Sequence, residues 1–210
     1  MVLRGVLTTG FGFLLRSSEY LSRGGAGWDM GKVLRGMDVS FRRDKVSLPI
    51  ERVAETNEVS IFLRESKTDQ YNDGALLTHH LADEASMSLC VVRALRGMAL
   101  VFPERFTTEK HRPLFRWESG KAVTRDEVRR FLAQGAAAFG VPEGKMNTHS
   151  LRVGGASALF QATGGNIGLV KRLGRWASDA FEGYIWEDRE LTKGLASKMI
   201  QAPWHIHGAS

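Results

Sequence analysis

One cysteine, Cys90, stands among 210 residues, and a single thiol excludes any disulfide within the chain. It lies in the apolar stretch Ser88-Leu89-Cys90-Val91-Val92, where a free cysteine behaves as a small buried hydrophobe, and a reducing compartment is the simplest fit. No uninterrupted apolar run approaches the roughly 18 residues a membrane-spanning helix needs. Met1 to Leu15 carries only Arg4 ahead of its apolar stretch and is closed by Arg16 and Glu19, which is not the pattern of a secretory signal. Proline-rich linkers, low-complexity tracts and internal repeats are also missing, so one domain over residues 1–210 is the simplest division. Metal-ligand spacing is absent too. His79-His80 and His205-x-His207 have no second cluster of cysteines or carboxylates and read as surface histidines. Gly164-Gly165-Asn166-Ile167-Gly168 has no following Lys-Ser or Lys-Thr, which removes a phosphate loop and leaves a turn between helices.

What is present is a basic chain with helical and alternating patterns. Lys and Arg number 29 against 23 Asp and Glu, a formal charge of +6 that suits a polyanionic partner without demanding one. Val6 to Leu21 is apolar and free of proline, and predicts one buried helix despite Gly10 and Gly12. Ser22 to Gly27 breaks it. From Val33 to about His80 the pattern shortens to alternating runs containing Val39 and Phe41, then Val59, Ile61 and Leu63, then Ala75 to Leu77. These predict a small three-stranded antiparallel sheet, with Lys67 in a turn between two strands. The helical period returns in Met87 to Leu100 and in Thr124 to Phe139. Thr124 and Glu127 form a capping box at the start of the latter, and Val128, Phe131, Leu132, Gly135 and Phe139 share one face. Asn147 to about Ile200 reads as three or four short helices. The fold class is therefore α+β, mainly helical.

The most informative stretch is His149-Ser150-Leu151-Arg152-Val153-Gly154-Gly155, followed by Leu173-Gly174-Arg175-Trp176 and then Tyr184. It resembles the C-terminal motif of the tyrosine recombinases, the phage integrase family. Upstream, Phe13 to Glu19 resembles the family's first-arginine helix and Ser66-Lys67-Thr68 its lysine turn. The pieces occur in the family's order over Arg16 to Tyr184, and their wording is most similar to recombinases of eukaryotic mobile elements. The resemblance implies the fold of a DNA breaking-rejoining enzyme. It further implies a catalytic set of Arg16, Lys67, His149, Arg152, Trp176 and Tyr184, and a 3′-phosphotyrosyl intermediate that needs neither ATP nor a cofactor.

The chemistry accounts for such a gathering. Attack on a phosphodiester concentrates charge on the non-bridging oxygens, where Arg16 and Arg152 would give planar, permanently charged, paired donors. A phenol ordinarily ionises near pH 10, so Tyr184 must lose its proton as it attacks, and His149 is placed by the resemblance to accept it or to hold a phosphate oxygen. Lys67 is the family's candidate general acid for the departing 5′ oxygen. The arginines supply the charge that a magnesium ion would otherwise provide, so no metal is implied. One departure concerns the family's His or Trp, which usually lies nine residues before the tyrosine. Here Arg175 lies nine before and Trp176 eight before. Either a one-residue deletion puts Trp176 in the role, which is the preferred reading, or Arg175 stands there as an additional cation.

Expected partners are double-stranded DNA and further copies of the chain on that DNA, as dimer or tetramer. Arg42, Arg43, Lys171, Arg172 and Arg175 are candidates for backbone contacts that fix register without reading sequence. Residues 188–210 form a tail with Leu191, Leu195 and Met199 at helical spacing, set either against a neighbour or against its own core. The family's usual helical clamp domain would precede the first-arginine helix, which here begins almost at Met1. The chain thus reads as the catalytic domain alone, with weak, salt-dependent DNA binding. The expected location is intracellular, and nuclear if the source is eukaryotic. A non-catalytic DNA-binding relict and a topoisomerase IB-like relaxing enzyme are the alternatives.

Overall fold

The computed structural model describes residues 1–24, 32–64, 74–83, 88–142, 144–176 and 178. The apolar opening stretch does not form the single helix its pattern predicts. Helix α1, Val2–Gly12, is followed by a break in which Leu14 adopts a left-handed backbone (φ 51°), and a single further turn, α2, covers Ser17–Tyr20. No proline forces this break. The chain turns because the carbonyl groups at its end are taken by arginines from distant helices, as described below.

Four antiparallel strands follow: β1 Val39–Arg43, β2 Val46–Ser47, β3 Glu58–Leu63 and β4 Ala75–His80, in the order β2-β1-β3-β4. The three runs expected as strands are β1, β3 and β4, and the two-residue edge strand β2 is additional. Asp44 and Lys45, both left-handed (φ 51° and 71°), make the tight turn between β1 and β2, the conformation that matches the twist of a two-residue hairpin. Along β3, Val59, Ile61 and Leu63 point into the core, as period-two alternation requires. Pairing of β3 with β4 runs from Glu58↔His80 to Leu63↔Ala75, so the sequence between them, which includes Lys67, connects the ends of adjacent strands. Cys90, just before the next helix, is buried as expected, and its Sγ accepts from the Ala82 N–H.

Helix α3, Val91–Val101, buries Val92, Leu95 and Met98 against α1, each side chain worth about 2 kcal/mol in area removed from water. Helix α4, Arg125–Ala138, starts on the expected capping box: the Glu127 N–H donates to Thr124 Oγ1 at 3.2 Å and the Thr124 N–H to Glu127 Oε2 at 2.8 Å. Its inward face differs from the predicted one. Val128 and Ala136 are buried and Leu132 packs on the core, whereas Phe131, Gly135 and Phe139 face outward. Helices α5, Thr148–Ala162, and α6, Ile167–Gly174, complete the described chain. Helix α5 crosses α1 where Gly155 meets the backbone of Phe11 so closely that a Cβ would lie 2.2 Å from its carbonyl oxygen. That approach brings the middle of α5 beside the α1–α2 break. Among the described residues no helix is long and apolar enough to cross a membrane.

Candidate active site

Arg16, Arg152 and Arg175 come from three separate parts of the chain and converge on one carboxylate and one carbonyl. Arg16 caps α2, and Glu19, three residues on, accepts its backbone N–H at 2.7 Å and its Nη1 at 3.1 Å. The second Glu19 oxygen also accepts from Arg175 Nη2 at 2.9 Å. Leu14, displaced by its left-handed backbone, turns its carbonyl to Arg152 Nη1 at 2.5 Å and Arg175 Nη2 at 3.3 Å. Arg152 Nη2 donates to the carbonyl of Gly174 at 2.6 Å. The residue Arg152 is only 2% exposed, so its guanidinium is held by oxygens on two sides rather than by bulk water.

Local sequence explains each placement. Asn147 caps α5, its Oδ1 accepting from the His149 N–H at 2.8 Å, and the three-residue spacing puts His149 and Arg152 on the same side of the helix. His149 is more exposed. Burial, and secondarily the charge of Arg152, pull its pKa below 6.5, so the imidazole is neutral at pH 7. At the other end of the site, α6 closes with a left-handed residue, as helices commonly do, and that residue is Arg175 (φ 56°, ψ 48°). The Arg175 N–H donates to the carbonyl of Arg172 and the Trp176 N–H to that of Lys171. The turn directs Arg175 inward, where burial lowers its pKa and Glu19 counteracts the shift; a guanidinium stays charged there. The Trp176 ring rests on Gly174, its centroid 4.2 Å from the guanidinium carbon of Arg152.

Three of the six expected catalytic residues, Arg16, Arg152 and Trp176, thus lie around the α1–α2 break, and a fourth, His149, stands one turn before Arg152 on α5. Lys67 and Tyr184 lie outside the described residues. Of the expected DNA contacts, Arg43 and Arg172 are exposed, Lys171 is half-buried, Arg42 is paired with Glu58 at 3.4 Å, and Arg175 is turned into the protein. Glu19 is a member of the cluster that a search for cations and nucleophiles passes over. Its signal was the Arg-x-x-Glu spacing at the start of a short helix, the pattern by which a side chain three residues in reaches back to the cap. A cleft of about 290 Å³ at the end of α4, lined by residues including Ala136, Val141 and Met146, contains none of the expected site residues.

The fold is that of a tyrosine recombinase catalytic domain, mixed helix and antiparallel sheet. Two solved structures it resembles are complexes of the XerH site-specific recombinase. One is the post-cleavage complex bound to palindromic difH substrate (TM-score 0.60, 15% identity, 94% of this chain and 45% of that one). The other is the pre-cleavage complex with difH substrate (TM-score 0.55, 17% identity, 93% of this chain and 45% of that one). The chain therefore spans less than half the length of these neighbours. No protein-family model and no curated protein matches it.

Proposed function

We propose that this chain is the catalytic domain of a site-specific recombinase that cleaves and rejoins duplex DNA through Tyr184. The observation that carries the reading is the convergence of Arg16, Arg152 and Arg175 around Glu19 and the Leu14 carbonyl. Such a cluster gathers the kind of fixed positive charge that a phosphodiester in transition needs. The Tyr184 oxygen attacks phosphorus while its proton passes to His149, whose neutral form at pH 7 has a lone pair to receive it. The bond to the 5′ oxygen breaks, Lys67 supplies that oxygen's proton, and a 3′-phosphotyrosine holds the strand until the 5′ hydroxyl returns. The residue nine before the tyrosine is Arg175. It orders Glu19 and through it Arg16, while Trp176 packs on Arg152. DNA is the substrate and the surface on which further copies assemble.

The test is incubation with a nicked suicide duplex and a denaturing gel. The native chain is expected to form a covalent protein–DNA adduct, and Tyr184→Phe and Arg152→Ala to form none. An adduct that persists in Tyr184→Phe would assign the nucleophile elsewhere. A non-catalytic DNA-binding domain is the second reading, favoured by the 2% exposure of Arg152, which in this conformation offers a phosphate little access. No adduct, even with a clamp domain supplied upstream, would decide for it.

A further inference from the structure

A second buried carboxylate, Asp38, repeats the arrangement of Glu19. Asp38, three residues after Arg35, accepts the Arg35 backbone N–H at 2.7 Å, as Glu19 accepts that of Arg16. It also holds a distant arginine. Arg64 Nη1 lies 2.5 Å and 2.6 Å from its two oxygens, and Arg64 Nη2 donates to the carbonyl of Val33 at 2.8 Å. Arg64 directly follows Leu63, the last residue of β3 paired with β4, so it stands at the base of the connection on which Lys67 follows three residues later. The anchor leads back to the arginine cluster by contacts already described or adjacent to them. Val33 precedes Leu34, whose N–H donates to the carbonyl of Glu19 at 2.9 Å, and the Glu19 carboxylate holds Arg16 and Arg175.

We propose that Arg64 and Asp38 are positioning residues that fix the stem of the Lys67 connection relative to the arginine cluster, and so set where the leaving oxygen meets its acid. The inference rests on the reading of Lys67 as general acid and Tyr184 as nucleophile. A guanidinium suits the task because one nitrogen takes the carboxylate and the other the carbonyl in one plane, which fixes direction as well as distance. An ammonium at that position keeps the charge and loses the pair of fixed, coplanar donor nitrogens.

The leaving group separates this role from a general weakening of the fold. Replacing the 5′ bridging oxygen by sulfur makes a duplex whose leaving atom departs as a thiolate with its electron pair. An ordinary thiol ionises near pH 8.5, so no acid is needed. The experiment measures adduct formation by the full chain on the nicked phosphate duplex and on its 5′-phosphorothiolate counterpart. Arg64→Lys and Asp38→Asn are compared with Lys67→Ala and the unaltered chain, with thermal midpoints recorded for each. Arg64→Lys retains the cation and serves should Asp38→Asn fail to fold. The expected result is a loss of about 10- to 100-fold on the phosphate duplex for both positioning variants, the scale of a misplaced catalytic group. On the phosphorothiolate both should return to within about twofold of the unaltered chain, as Lys67→Ala does. Equal losses on the two duplexes, or none on the phosphate, would overturn the inference while leaving the nucleophile reading intact. Failure of Lys67→Ala to recover on sulfur, or absence of any adduct from the unaltered chain, would overturn the underlying reading and the inference with it.

Discussion

Leu14 and Arg175 both hold a left-handed backbone, which costs a side-chain-bearing residue about 1–2 kcal/mol, and the two are joined by a hydrogen bond. The only other non-glycine residues so held among those described are the two of the β1–β2 turn, where the hairpin itself demands it. Strain at the site is thus offset by the charged bonds it makes possible, and Glu19 is the residue on which most of them depend. Glu19→Gln would leave two guanidinium groups, one of them deeply buried, without their shared countercharge. The expected destabilisation is about 3–5 kcal/mol by denaturant unfolding, far above the cost of an exposed ion pair. A loss below about 1 kcal/mol would mean that the carbonyls alone hold Arg175. Tyr20 gives the opposite expectation. Its hydroxyl is buried without a hydrogen-bond partner among the described residues and its pKa is driven well above 10 by burial, so Tyr20→Phe should be neutral or stabilising by about 1 kcal/mol. His79 provides a pH dependence. Its Nε2 bonds the Gly12 carbonyl at 2.8 Å beside Phe13, and burial, with a smaller contribution from His80, pulls its pKa below 6.5. A depressed histidine pKa means that the unfolded chain binds the proton more tightly. The contribution of His79 is therefore full above the ordinary value of 6.5 and is lost as pH falls through its lower folded value. Unfolding at pH 7.5 and pH 5 should show a smaller acid loss in His79→Gln, which retains a donor for Gly12; equal losses would clear His79 of that role.

The helices meet at positions where a side chain would not fit, and Gly155 is the one that sets the site. A methyl group there would collide with the Phe11 carbonyl and the Leu14 side chain and move α5 away from α1. Arg152 lies one turn earlier on α5, so Gly155→Ala should lower stability by about 1–3 kcal/mol and cut adduct formation more than the stability loss alone explains. A variant of unchanged activity would show that the α1–α5 approach is not what places Arg152. This level also marks what could be read beforehand. The capping box at Thr124 and Glu127, the alternation of β3 and the His149–Arg152 spacing are local patterns, and each was legible because few residues determine it. The break after Gly12 was not, since Phe13-Leu14-Leu15 is helical by composition and is turned by Arg152 and Arg175, which lie more than a hundred residues away. The face of α4 was misread for a related reason. Phe131 and Phe139 have the expected spacing, but the surface α4 meets takes Val128, Leu132 and the small Ala136 and leaves the two aromatic rings outside.

Across the molecule, much of the positive charge is already engaged. Arg35, Arg42, Arg64 and Arg175 each face an internal carboxylate, Arg116 pairs with the half-exposed Glu109, and Arg105 and Arg116 are buried against backbone carbonyls of the irregular connection before α4. Those groups organise the fold and are poor candidates for displacing counterions, although they count among the 29 Lys and Arg. The net charge of +6 is the better guide to how many phosphates the chain can neutralise. For duplex DNA this gives a slope of log affinity against log salt near about −5, since each neutralised phosphate contributes about −0.9. Fluorescence anisotropy of a labelled duplex between low and physiological salt measures it. Arg43→Gln, at an exposed position paired with the surface acids Asp44 and Glu55, is expected to reduce the slope by about one and leave adduct chemistry on bound DNA unchanged. Opening of the internal pairs on DNA would steepen the slope toward about −10. The carboxylates that fix the arginines in the free protein would then act as placeholders for phosphate, and the stability cost of Glu19→Gln should fall when DNA is bound.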